Sequence, residues 1–413
     1  MTHIGPVTTC QICKSARLQV VLSLGHQPIV QEYLTSTQLH QPEATYPLTM
    51  VRCVRCGLLQ LDYIVEPSKV FPPQYPYRTG LTNMLIRNFE ELSKGLLASG
   101  YYHTNDLVVD IGSNDGTLLK PFKQRGARVV GVEPTNAAKV ANKSGIPTLQ
   151  EFFSGQSVKK ILKKYGKAKV ITATNVFAHI NDTALLVKNI KALMDNNSVF
   201  VSESQYVMDI IEKLEFDTIY HEHLRFYALK PLTYLFKEHG LSIVDAERIT
   251  AAGGSIRVYA KKGAYAMSQR AKTLLKEEEK AGLYDTKKLK TFADKVHTVK
   301  NELLSLLLRL KKDGANVAAL TSPARANPML NFVHIDNTII VYAGEKNGSP
   351  KIGLYTPGTH ILVVDEAKIL KDQPDYVLVL SWHIGTELMK KVRSMGYKGK
   401  FIIPLPTPHV ANI

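Results

Sequence analysis

Short apolar runs alternate with helix-spaced polar stretches along most of the chain, and that rhythm predicts its elements. Residues 107–111 read LVVDI, four apolar residues around one aspartate. A short run rich in β-branched residues is the pattern of a strand buried in a parallel sheet. Similar runs at 128–133, 147–149, 169–173 and 198–203 predict four more strands, and 241–260 predicts a final pair. Between them, 117–126 and 136–143 carry apolar positions at helical spacing, and 81–100 predicts an amphipathic helix entering the first strand. This alternation predicts an α/β fold with a doubly wound, Rossmann-like sheet.

The pattern changes twice. Residues 264–312 are lysine-rich and helical, with an apolar packing stripe from Leu303 to Leu310. A second β–α series follows, with strands predicted at 316–320, 338–343, 376–382 and 400–406. Residues 1–72, by contrast, read as loop-rich, with prolines at 28, 42 and 47. The expected organisation is therefore a small domain over 1–72, a central domain over 73–262, and a helical linker plus smaller α/β domain over 263–413. A length of 413 residues suits two or three domains.

Composition narrows the class. No apolar run reaches the roughly 18–20 residues that span a membrane, and the N-terminus lacks a signal-peptide pattern. A cytoplasmic protein without a membrane partner is expected. The net charge of +16 favours an anionic partner. Most of the surplus lies in scattered pairs such as Lys159-Lys160 and Lys311-Lys312, which read as solvated helix faces. No RNA- or DNA-binding signature accompanies them, so specific nucleic-acid binding is not expected.

All four cysteines lie in the first domain, as Cys10-x-x-Cys13 and Cys53-x-x-Cys56. Two such knuckles can place four thiolates around zinc, and a segment this short has too little core to hold itself. Two disulfides are the alternative, disfavoured by a cytoplasmic address. Four cysteine ligands predict a closed, structural zinc site.

The turn after 107–111 reads GSNDG, with Gly112 and Gly116 permitting tight backbone geometry. It lacks the Gly-Lys-Ser/Thr ending of a phosphate loop and is not GxGxxG. Glu133 closes the second strand, where an acid can accept hydrogen bonds from both ribose hydroxyls. An aspartate before the turn, Asp110, without a diphosphate cradle fits a nucleoside lacking pyrophosphate, hence S-adenosylmethionine (SAM). An ordinary βαβ turn is the alternative. After the fourth strand, Asn175 is placed to line the same crevice and His179 to face an acceptor; a structural histidine is equally consistent.

The densest polar run is Tyr220-His221-Glu222-His223-Leu224-Arg225-Phe226-Tyr227. Its histidines are two residues apart, which excludes the HExxH zinc pattern. The run suits either proton transfer, with a histidine titrating near neutrality, or a polar loop bonded to the scaffold.

Taken together, these motifs resemble the zinc-containing, SAM-dependent C-methyltransferases that methylate carbon 3 of dTDP-4-keto-deoxysugars. The likeness runs through PLTMVRCVRCGLLQL, YPYRTG, VVDIGSNDG, GVEPT, TNVFAHI, DTIYHEHLRFYAL, GGSIRVY, YTPGTHI and PDYVLVLSW. It implies that His223 is the general base, supported by Tyr220 and Glu222, with Tyr77 and His179 lining the acceptor site. It also implies that Asp110, Gly112, Asn114, Asp115 and Glu133 hold SAM, with Phe152 near the adenine. The partner implied is a nucleotide-linked keto-sugar, its nucleotide bound with help from the C-terminal domain. The chain departs from the family pattern at TSPARANPM (321–329), which lacks two glycines, at AGEKN (343–347), and at Phe226-Tyr227 where two tyrosines are usual.

Overall fold

The computed structural model describes residues 4–71 and 78–411. At its centre is a seven-stranded sheet: β1 (Leu107–Ile111), β2 (Arg128–Val132), β3 (Thr148–Leu149), β4 (Ala168–Thr174), β5 (Met194–Gln205), β6 (Leu241–Ile249) and β7 (Ser255–Lys262). The spatial order is β6-β7-β5-β4-β1-β2-β3. Strands β1 to β5 pair in parallel, and β7 runs antiparallel to both β5 and β6. All five residues of β1 are buried, as the continuous apolar run requires of a strand covered on both faces. Chain direction across the sheet reverses between β1 and β4, so a crevice opens at their carboxyl ends.

Helices cover both faces by their apolar stripes. Asn83–Ala98 buries Leu85, Phe89, Leu92 and Leu96, and Thr183–Leu193 buries Leu186, Val187, Ile190 and Leu193. Asp182 starts the latter, its carboxylate accepting from the Leu185 N–H at 2.9 Å. Helix Gln269–Lys280 sends the buried carboxylate of Glu278 back to this domain, where Tyr206 Oη and the Leu229 N–H donate to it.

The N-terminal region corrects the loop-rich expectation for 1–72. It is a four-stranded sheet in the order Arg225–Phe226, Leu59–Leu61, Tyr46–Cys53, Leu18–Gln27, all antiparallel. Register shifts after Val20 and Ser23 interrupt the two-residue alternation. Pro47 also sits inside a strand, beside one of these irregularities, opposite His26. One strand of this sheet, Arg225–Phe226, comes from the central region.

The C-terminal sheet has six strands, in the order Val363–Asp365, Ala343–Glu345, Val317–Leu320, Tyr376–Val379, Lys400–Ile403, His409–Ala411. The first five are parallel and the last is antiparallel. The strand expected over 338–343 is displaced: it spans Ala343–Glu345. Asp336 takes the Thr338 N–H on its side chain and the Ile339 and Ile340 N–H groups on its carbonyl, winding the apolar run into a turn. The strands expected over 376–382 and 400–406 are shorter, ending at Val379 and Ile403. Val363–Asp365 and His409–Ala411 were not expected.

One apolar core runs through all three regions, from Leu48 and Met50 through Phe177 and Phe200 to Leu330 and Leu378. Among the described residues, no helix is long and apolar enough to cross a membrane.

Candidate functional site

The crevice beyond β1 is built by backbone geometry. Gly112 has φ +68°, and a Cβ there would lie 2.4 Å from Val176 Cγ2. Both facts demand glycine. Gly112→Ala is expected to cost about 1–3 kcal/mol of stability from the left-handed backbone and the overlap. Because the sequence predicts that this turn holds SAM, weaker SAM binding is expected as well; a denaturant melt and a calorimetric titration with SAM test both.

Asn114 (φ +48°) carries its N–H to Glu133 Oε2 at 3.1 Å, and Glu133 Oε1 accepts the Thr135 N–H at 2.8 Å. Each carboxylate oxygen keeps a second lone pair, so the buried Glu133 can still accept from a ligand. Asp110 lies beneath the turn, where its Oδ1 accepts from Thr172 Oγ1 at 2.7 Å. Burial pushes its pKa up to about 7. Asp115 is engaged on both oxygens, Oδ2 by the Gly80 N–H at 2.9 Å and Oδ1 by Thr117 Oγ1 at 2.6 Å. Asn114 Oδ1 accepts the Thr79 N–H at 3.1 Å. Both side chains thus fasten the Arg78–Gly80 segment over the turn. Tyr77 lies outside the described residues. Phe152 stands on the loop after β3, 63% exposed. Asn175 follows β4 with φ +55°, its N–H donated to the Glu203 carbonyl at 2.8 Å.

The histidine loop lies next to this crevice. Val176, against Gly112, passes its carbonyl to the His179 N–H at 2.9 Å. The His179 ring lies 5.0 Å from that of His223, and the Tyr220 ring lies 4.0 Å from His223, centroid to centroid. Phe71 meets His179 edge-on at 5.4 Å. His223 Nδ1 sits 2.7 Å from the Thr218 carbonyl, and His179 Nδ1 sits 2.7 Å from the Glu222 carbonyl. A carbonyl only accepts, so each Nδ1 carries the proton and each Nε2 offers a lone pair.

Burial pushes His179 down to about 4 and holds His223 well below the usual imidazole range, the neighbouring His179 adding to the latter. Both rings are therefore neutral at pH 7 and able to accept a proton. His221 points away, with Nε2 3.2 Å from the Pro47 carbonyl and its ring against Tyr46. The tight turn at 220–223, closed by the His223 N–H on the Tyr220 carbonyl, sends the two histidines to different neighbours.

Arg225 makes this arrangement rigid and was missed in the sequence. Wholly buried, its guanidinium donates to the carbonyls of Ile180 at 2.6 Å and Asn181 at 2.5 Å, clamping the His179 loop. Sequence carried no signal for this beyond an arginine within an aromatic run. Arg325 was also missed as a neighbour of this loop, because it lies on the C-terminal domain.

The four cysteines converge as free thiols. Their Sγ atoms all lie within 4.8 Å of one another, with Cys10 and Cys56 3.5 Å apart and Cys13 and Cys53 3.4 Å apart. These separations exceed a disulfide's length of about 2.05 Å. They are near the roughly 3.8 Å edge of a tetrahedron with Zn–S bonds of about 2.3 Å. Four buried thiolates would repel one another, and a divalent cation offsets that charge; the donor set fits zinc. Among the described residues no other cluster of three or more His, Cys, Asp or Glu is so arranged. The cluster touches the histidine loop through Gln11, whose Nε2 donates to the carbonyls of Leu61 at 3.2 Å and Leu224 at 3.4 Å.

Three family models match in succession: "Putative zinc binding domain" over 10–71, "Methyltransferase domain" over 84–246, and "C-methyltransferase C-terminal domain" over 250–406. They cover nearly the whole chain in the order of the three larger sheets among the described residues. The chain belongs to the zinc-containing C-methyltransferases. The C-methyltransferase NovU of Streptomyces niveus is 29% identical over 99% of this chain and 98% of its own length. Among solved structures, magnesium protoporphyrin IX methyltransferase from Synechocystis PCC 6803 matches 44% of this chain and 84% of its own, at 14% identity and TM-score 0.35. The plantazolicin methyltransferase BpumL matches 44% of this chain and 86% of its own, at 14% identity and TM-score 0.36. As a zinc-containing C-methyltransferase, the chain is a SAM-dependent enzyme whose four cysteines form a structural zinc site.

Proposed function

We propose that this C-methyltransferase methylates the carbon next to a ketone, carbon 3 of a nucleotide-linked 4-keto-deoxysugar, with His223 as the base. The observation that carries the proposal is the imidazole of His223, neutral, fixed by Thr218 through Nδ1, and packed against both Tyr220 and His179. A carbonyl acidifies the neighbouring C–H, and Nε2 of His223 takes that proton. Bound SAM supplies an electrophilic methyl group. Asp110, Gly112, Asn114, Asp115, Asn175 and Glu133 form or brace its crevice, and Phe152 is exposed at the rim to meet the adenine. The Tyr220 and Tyr77 hydroxyls would donate to the oxyanion that develops on the sugar carbonyl, and Glu222 and the Nε2 lone pair of His179 would accept from sugar hydroxyls.

The nucleotide would lie at the carboxyl ends of Val317–Leu320 and Tyr376–Val379, the reversal point of the C-terminal sheet. There the Ser322 N–H meets Glu345 Oε2 at 3.0 Å, matching the Asn114–Glu133 contact of the central domain. Lys351 Nζ donates to the Ser322 carbonyl at 2.7 Å and brings a positive charge. The three regions act as zinc-binding, SAM-binding and nucleotide-binding domains. A reducing, cytoplasmic setting suits four separate thiols.

The test is incubation of the purified enzyme with methyl-labelled SAM and a panel of nucleotide-linked keto-sugars, with NMR of the products. The labelled methyl is expected on carbon. A label on oxygen or nitrogen, or turnover only of non-sugar ketones, contradicts the proposal.

A further inference from the structure

The acceptor of the His223 hydrogen bond, the Thr218 carbonyl, lies on a single turn, Phe216–Thr218. The Thr218 N–H and Oγ1 both donate to the Glu215 carbonyl, at 3.0 and 2.7 Å, which fixes the direction of that turn locally. Its side chains, however, are held from the C-terminal domain. Arg325 forks onto Asp217, Nε to Oδ2 at 2.8 Å and Nη2 to Oδ1 at 2.9 Å, and reaches Glu215 Oε2 at 3.2 Å. Trp382 Nε1 donates to the same Asp217 Oδ2 at 2.8 Å, and the Arg325 guanidinium lies over the Trp382 ring at 5.5 Å. Phe216 meets Phe332 edge-on at 5.6 Å. Arg325, Asp217 and Glu215 are all buried.

We propose that Arg325 is a positioning residue for the base: by gripping Asp217 from the C-terminal domain, it holds the Thr218 carbonyl where His223 must place its Nδ1 proton. The inference rests on the reading of His223 as base. A planar fork matched to both carboxylate oxygens fixes orientation as well as charge, which a lysine at the same position cannot do. Three N–H donors of Arg325, on Nε and Nη2, go to the neighbouring acids, so its part is played through Asp217 and the turn. The fork also couples the C-terminal domain to the chemistry: a displacement of that domain would move Asp217, then Thr218, then the ring. The charged and titratable groups around His223 in this arrangement are His179, Tyr220, Glu222, Asp217, Glu215 and Arg325.

The experiment uses the full-length zinc-loaded enzyme, wild type and the Arg325→Lys, Arg325→Met and Trp382→Phe variants. Each is carried forward at a temperature where its far-ultraviolet circular dichroism is native. Trp382→Phe removes one hydrogen bond without unpairing a charge, so it keeps the test open should Arg325→Met fold poorly. The first readout is the ¹⁵N spectrum of histidine-labelled protein with S-adenosylhomocysteine, in which the His223 signal is assigned by its loss in His223→Gln. Wild type is expected to show a single tautomer with the proton on Nδ1. Arg325→Met is expected to show mixed tautomers, with Arg325→Lys and Trp382→Phe intermediate. The second readout is turnover of a dTDP-4-keto-deoxysugar from the panel above. There kcat should fall tenfold or more in Arg325→Met and twofold to fivefold in Trp382→Phe, with KM for the sugar within about twofold. An unchanged tautomer in Arg325→Met and in Trp382→Phe overturns the positioning role. So does a raised KM at constant kcat, which would make Arg325 a substrate ligand. Full activity of His223→Gln instead overturns the base assignment, whatever the tautomer data show.

Discussion

His223→Gln is expected to lower kcat by about 10²- to 10⁴-fold, the usual contribution of a positioned general base, while the Kd for SAM changes less than about threefold. Glutamine retains a group able to donate to the Thr218 carbonyl, so the turn stays closed, yet it has no basic lone pair near neutrality. The crevice proposed to hold SAM, with Gly112, Asn114 and Glu133, lies on the turns after β1 and β2, apart from the histidine loop, which is why affinity and turnover should separate. Direct methyl-transfer assays and calorimetry measure the two. The pH profile carries further information. Burial disfavours the imidazolium of His223, so the neutral base persists as pH falls past its ordinary value of about 6.5. The acid limb of kcat/KM should therefore lie below that value in the wild type. A limb at or above pH 7 would place the essential base elsewhere.

Removal of zinc, by chelation or by Cys53→Ser, is expected to abolish turnover more than a hundredfold while leaving a SAM-binding core. Apparent binding energies of structural zinc in small peptides are about 10–16 kcal/mol, comparable with the whole stability of a typical domain. The N-terminal sheet should then open. Its loss removes Leu59–Leu61 as the partner of Arg225–Phe226, and the Leu61 N–H from the Leu224 carbonyl at 3.0 Å. His221 also loses the Pro47 carbonyl. The loop that carries His223 is thus deprived of one wall, whereas β1 and β2 keep all their neighbours. Limited proteolysis should cut first within residues 4–71. A metal-free chain with native turnover and an uncut N-terminus contradicts this picture.

The parts legible from sequence share a physical cause. Strands β1, β2 and β4 are buried on both faces, so their apolar runs stand out without long-range information. The four cysteines also declared themselves, because a knuckle needs only local spacing. The strand Leu18–Gln27 stayed hidden because register shifts scramble its alternation and both Val20 and Gln19 face solvent. Residues 338–342 were apolar enough for a strand, but Asp336 turned them. In the histidine loop, composition pointed to proton chemistry, yet spacing could not say that His223 joins His179 while His221 turns to Tyr46. Arg325 could not be paired in advance, since its partner Asp217 lies 108 residues earlier and in another domain.

The most direct measurement is hydrogen exchange at the acceptor carbon. The enzyme, S-adenosylhomocysteine and a nucleotide-linked 4-keto-deoxysugar are placed in D₂O, and the C3–H signal is followed by NMR. Wild-type enzyme should wash deuterium into carbon 3 far faster than buffer, and His223→Gln should reduce the rate to that of buffer. Equal wash-in by both proteins, or none by a wild type that turns the same sugar over, would contradict proton removal by His223.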